Sequence, residues 1–163
     1  LTDSLCYEIT HNDAGIFSVI FDRYLYLGGF HGIPLRKCIV TDLNTGVPLN
    51  LHEILPLSFT ELLSIIKEKL YIKYEKESSE VLEICYENIK KLYHQVDEFK
   101  FYIQYSALYI YFDVYEISSY SMGHMDLYIM DLTDYLRKRY NIGECDIVRK
   151  QPFFEKLDKE PVR

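Results

Sequence analysis

Apolar residues alternate with polar ones at the start of the chain. From Gly15 to Leu27 the odd positions Phe17, Val19, Phe21, Leu25 and Leu27 form a period-2 stripe broken only at Arg23, which predicts a β-strand. Gly28-Gly29-Phe30-His31-Gly32 follows, and three glycines in five residues demand a turn or a close backbone approach. A second extended stretch runs from about Leu35 to Leu43 and stops at the turn signal Asn44-Thr45-Gly46. The spacing then changes to that of a helix. Ser58 with Glu61 three residues on reads as a capping box, and behind it Phe59, Leu62, Leu63, Ile66 and Leu70 form one apolar face. A second helix is predicted from near Ser79, with the stripe Leu82, Cys85, Tyr86, Ile89, Leu92 and Tyr93.

Beyond the helices the period returns to two. Phe101, Ile103 and Tyr105 lie on one side of a strand, and Leu108, Ile110 and Phe112 on one side of the next, with the turn at Ser106-Ala107. The segment Tyr115 to Gly123 interrupts this pattern. A third strand follows with Met125, Leu127 and Ile129 on one face, and then a short helix through Leu132, Tyr135 and Leu136 with Asp131 as its N-cap. Strands, two helices, strands, helix is the order of an α+β domain, an antiparallel sheet packed on one face by two to three helices. Residues 1–140 form the expected single domain, and 141–163, which lack periodicity, a partly ordered tail.

The chain has 163 residues, enough for one domain with its own core. It carries 25 Asp and Glu against 18 Lys and Arg, a formal charge of −7, so nucleic acid is not an expected partner. Acidity of this size favours encounter with basic proteins instead. No apolar run is long enough to span a bilayer, so no membrane contact is expected of this segment itself. The chain contains 16 Tyr and no Trp, and most of those tyrosines are expected on half-buried strand faces.

Candidate chemistry is sparse. Cys6, Cys38, Cys85 and Cys145 include no CxxC, which excludes a zinc ribbon or a thioredoxin motif; Cys85, on a helical apolar stripe, is expected as a buried thiol. The five histidines show no paired metal spacing, and neither a nucleophile elbow nor a P-loop occurs. Neither metal nor cofactor is therefore expected. His31 reads first as a histidine bonded within its own turn. Asp113 and Glu116 are the carboxylates nearest to a catalytic pair, although acids at such positions more often cap turns.

Two motif blocks carry a resemblance. One is Gly28-Gly29-Phe30-His31-Gly32, then Asp42, Thr45-Gly46, Leu49 and Leu51; the other is Leu108, Phe112, Tyr115-Glu116-Ile117, Tyr120 and Gly123. Together they resemble the extracellular domain of RsiV-type anti-sigma factors, a domain also found beside polysaccharide deacetylases. The likeness covers roughly residues 15–138. Phe30 stands where that family usually has alanine, and Ser119 where proline is common. The resemblance implies a non-catalytic sensor at the exterior of a Gram-positive bacterium, with a lysozyme-like protein as ligand. Cell-wall glycan is the alternative partner, should the domain be an accessory module of a deacetylase; a spacer without ligand is the third reading. On the sensor reading, Tyr115, Glu116, Ser119, Tyr120, Ser121 and Gly123 form the contact loop, and Gly28, Gly29, His31 and Gly32 shape it.

Overall fold

The computed structural model describes residues 1–140. The expected tail, 141–163 with Cys145, lies outside the described residues. The chain is α+β, with its strands arranged as two three-stranded antiparallel sheets, β1-β2-β3 and β4-β5-β6. The first sheet is β1 Thr2–Asp13, β2 Ile16–Tyr26 and β3 Ile33–Asp42; the second is β4 Phe101–Gln104, β5 Ala107–Phe112 and β6 Met125–Asp131. Between them come α1 Leu51–Ile54, α2 Phe59–Lys73 and α3 Ser79–Leu92, and α4 Thr133–Tyr140 follows β6. No helix among the described residues is long and apolar enough to cross a membrane.

The second sheet has two differently used faces. Ile103, Leu108, Ile110, Phe112, Met125 and Leu127 are fully buried in the main core, against Leu62, Ile66 and Leu70 of α2 and Leu82, Cys85 and Ile89 of α3. The tyrosines that alternate with them turn the other way. Tyr102 stacks on Tyr109 with ring centroids 5.1 Å apart, and Tyr102 and Tyr111 bury Ile20 of the first sheet in a small second core. The helices begin where capping chemistry predicts. Ser58 Oγ accepts the Glu61 N–H while the Glu61 carboxylate accepts the Ser58 N–H, and Ser78 caps α3 in the same position.

The structure revises several expectations. On β2 the fully buried positions are Ile16 and Ser18, with Ile20 close behind, so the even side chains face the second sheet. Of the odd stripe, Val19 is buried, Phe21 and Leu25 are half-buried and Leu27 is exposed. The even face mixes Ile16 and Ile20 with Ser18 and Asp22, and is covered because the polar pair finds partners on β3 and the second sheet, which alternation could not show. The hairpin turn is Tyr105-Ser106 rather than Ser106-Ala107, and Tyr105 adopts a left-handed φ of 57° and is exposed. Leu92, at the last turn of α3, is also exposed. Asp131 ends β6, and its carboxylate reaches past Leu132 to accept the Thr133 N–H at 2.7 Å. Cys85 is buried as expected, whereas Cys6 is exposed; both are free thiols.

Polar contacts join the sheets where β4 crosses the first sheet. Ser18 is fully buried, and its hydroxyl accepts both the Ile103 N–H and the Thr10 hydroxyl, each at 3.0 Å. The Tyr105 N–H donates to the Thr10 carbonyl. Further along, the Arg36 guanidinium grips Asp22 with two hydrogen bonds of 2.7 and 2.9 Å and reaches Asp126 of β6 at 3.1 Å. At the opposite end Arg139 of α4 holds Asp42 at 2.7 Å.

Two outcomes follow from these contacts. Ser18→Ala leaves the Ile103 N–H buried without an acceptor and is expected to cost about 1–3 kcal/mol, read as a lower urea midpoint; an unchanged midpoint would remove the seam from the account. Asp42 is held below the usual carboxylate range by the Arg139 hydrogen bond and then by the Asn44 N–H. A depressed folded pKa stabilises fully above the unfolded value of about 3.9 and loses that contribution as pH falls through the folded one. The stability gap between wild type and Asp42→Asn should therefore be widest near neutrality and close below about pH 4; a gap independent of pH would refute this.

Candidate functional site

The β2–β3 hairpin tip and the β5–β6 loop meet at one end of the two sheets. At the tip, Gly28 and Gly29 take φ of 102° and 108°, conformations that side chains resist. At Gly32 the Tyr24 ring packs close: a Cβ there would lie 2.2 Å from it, so a larger residue would push that exposed ring aside. The tip is tied at its base, the Tyr26 hydroxyl donating to the Gly29 carbonyl at 2.9 Å.

His31 joins tip to loop. Its ring stacks on Tyr120 with centroids 4.1 Å apart. Its Nδ1 lies 3.0 Å from the Gly32 carbonyl and its Nε2 lies 3.1 Å from the Tyr115 hydroxyl. A carbonyl only accepts, so Nδ1 carries a proton, and in the neutral ring Nε2 accepts from Tyr115. The Tyr120 hydroxyl donates to the Gly32 carbonyl at 3.3 Å. His31 is thus bonded within its own turn and also to a loop 84 positions away.

Tyr115 is 61% exposed and holds φ at 67°, uncommon for a bulky residue, in a turn closed by the Glu116 N–H on the Asp113 carbonyl. Ser119 and Ser121 are exposed and share a hydroxyl–hydroxyl hydrogen bond of 2.8 Å. Gly123 ends a 3-10 turn over Tyr120–Met122 with φ of 65°.

Glu116 turns inward rather than toward solvent. Its carboxylate accepts from the Tyr93 hydroxyl at 2.7 Å, from Lys100 at 2.7 Å and from the Asp113 N–H at 2.6 Å. Lys100 also holds Asp113 at 2.6 Å. Burial works against the Lys100 ammonium, but its hydrogen bonds to Asp113 and Glu116 outweigh burial and raise its pKa. The Tyr93 hydroxyl is pushed well above its ordinary value, by burial first and then by Glu116. Two carboxylates sharing one ammonium brace the loop from beneath. Nothing in sequence marked Lys100, and Tyr93 was marked only as part of the α3 stripe, because the pairing joins segments that only folding brings together.

Beside the loop lies a groove of about 290 Å³ between α3 and residues 115–122, lined mainly by Val81, Ile84, Ile117 and Met122, with Tyr115 and Asn88 at its polar margin. The Asn88 side chain donates to the Ile117 carbonyl at 3.2 Å and fixes the loop to the helix. The one available signal for this groove was Ile84, an apolar residue off the core stripe of α3 and exposed.

The architecture is that of a small α+β domain with two stacked antiparallel sheets, helices on one side and an aromatic loop junction at one end. Residues 57–130 match the family model described as Protein of unknown function (DUF3298). The match includes Tyr115–Gly123 and stops short of the first sheet with its glycine tip. Among solved structures, the chain is similar to a DUF3298 family protein from Pseudomonas aeruginosa PAO1, at 21% identity and a TM-score of 0.56, over 78% of this chain and 57% of that one. It is also similar to a DUF3298 family member from Bacteroides fragilis NCTC 9343, at 18% identity and a TM-score of 0.61, over 85% and 53%. At these identities the likeness is one of fold. The chain spans a little over half the length of either structure. No curated protein matches.

The brace is testable. Glu116→Gln retains one carbonyl oxygen for three donors and removes a charge from beside Lys100, so a loss of about 2 kcal/mol is expected. Urea unfolding measures it; a midpoint equal to wild type would mean that Glu116 does not support the loop.

Proposed function

We propose that the domain is a non-catalytic ligand-binding module of the cell exterior that recognises a basic, lysozyme-like protein, as the resemblance to RsiV-type anti-sigma factors implies. The observation that carries this reading is His31 held between Tyr115 and Tyr120, which merges two remote loops into one partly exposed aromatic surface. Aromatic rings fixed before contact give up little entropy on binding, which is how small surfaces reach useful affinity. A surface lacking any tyrosine-lined concavity would have favoured a spacer; the groove beside Tyr115 supports recognition instead. The chain's formal charge of −7 favours a cationic partner in rate of encounter. Asp113 and Glu116 share the Lys100 ammonium, and Glu116 also accepts from Tyr93 and the Asp113 N–H, so both carboxylates are engaged in holding the loop.

Titration calorimetry with hen egg-white lysozyme at moderate salt tests the proposal, with saturable heat expected on the order of 10 µM. Tyr115→Gly should abolish most of that heat. Its folding stability should stay within about 0.5 kcal/mol of wild type, since the ring is exposed and glycine relieves the left-handed backbone. An absence of heat from the wild-type domain would sink the lysozyme reading.

A further inference from the structure

The tip of the β2–β3 hairpin presents its largest apolar side chain wholly to solvent. Phe30 is 108% exposed and Leu27 is 64% exposed, while the backbone around them is pinned by Tyr26 on Gly29, by Tyr24 against Gly32 and by His31 on Tyr115 and Tyr120. A lone exposed apolar residue is ordinary. An aromatic ring lifted clear of a loop that is anchored on both sides is the form of a recognition anchor, because its ordering entropy is spent before contact.

We propose that Phe30, with Leu27 beside it, is an anchor that enters an apolar cleft of the partner protein, extending the Tyr115 surface across the His31 junction. This rests on the partner-binding reading above and names the element that would set partner choice. The ring projects outward and so needs a concave acceptor, whereas Tyr115 borders a groove and can take a convex one. A lipid surface is the other occupant an exposed Phe–Leu tip invites, and charge argues against it. Between Tyr24 and Ile33 there is no Lys or Arg, and the whole chain is acidic, so nothing offsets repulsion from anionic headgroups.

Three measurements on the intact chain decide the matter. Against hen egg-white lysozyme, Phe30→Ala is expected to weaken binding by roughly tenfold or more, with unfolding unchanged because the ring is buried against nothing. Phe30→Leu should recover part of the loss. If wild type binds and Phe30→Ala binds equally well, the anchor is refuted and the wider reading survives. If wild type does not bind lysozyme, the wider reading fails, and the anchor is judged by amide relaxation and by phosphatidylglycerol vesicles. Order parameters near 0.85 across Gly28–Gly32 with no vesicle uptake support a rigid protein-directed anchor. Values below about 0.6, or vesicle binding lost in Phe30→Ala, overturn it.

Discussion

Arg36 ties the two sheets together next to the loops. Its planar guanidinium takes both oxygens of Asp22 on the neighbouring strand and extends its remaining nitrogen to Asp126 on the other sheet. Burial opposes the charge, but the paired carboxylates outweigh burial and raise the pKa of Arg36 beyond its ordinary value. Much of the Coulomb gain in such a triad is cancelled by desolvation, so its yield is positional more than energetic. Lysine could not replace it, since a point charge cannot grip one carboxylate with two parallel bonds and a second with a third. Arg36 lies four residues beyond Gly32, and Asp126 three residues beyond Gly123. Fixing those two points fixes the glycine tip beside the tyrosine loop.

From that constraint the roles of the polar residues sort themselves by depth. Ser18 and Thr10 satisfy backbone donors where the sheets cross, and Tyr102, Tyr109 and Tyr111 fill the space between the sheets with rings rather than aliphatic chains. Nearer the surface, Lys100 and Glu116 hold the turn that forces Tyr115 into its left-handed conformation. The outermost layer, Tyr115, Ser119, Ser121 and Phe30, adds little to the core. The contacts that hold the two loops therefore lie beneath the side chains that face solvent.

That division also explains why the glutamate differs from its neighbours. A carboxylate beside Tyr115 in a predicted loop reads as a contact residue, and by sequence Glu116 is indistinguishable from one. Its direction is set by Tyr93 and Lys100, 23 and 16 positions away. The left-handed φ of Tyr115 points its ring outward and sends the next side chain in.

Local periodicity determined the elements. The Ser58–Glu61 box, the stripes of α2 and α3 and the alternation of β5 and β6 are short-range patterns, and short-range forces set them. The sequence also marked both segments of the candidate site, because glycines crowded at 28–32 and tyrosines at 115 and 120 are local compositions. It did not determine that the strands divide into two sheets, that Ile16 and Ser18 rather than Phe17 face inward, or that the turn sits at Tyr105. Those outcomes depend on what covers each face, and the covering residues lie up to about ninety positions away, as Arg36 does from Asp126. Only tertiary packing could choose, since the inward face of β2 carries Ser18 and Asp22 and becomes the buried one only where Ile103 and Arg36 satisfy them.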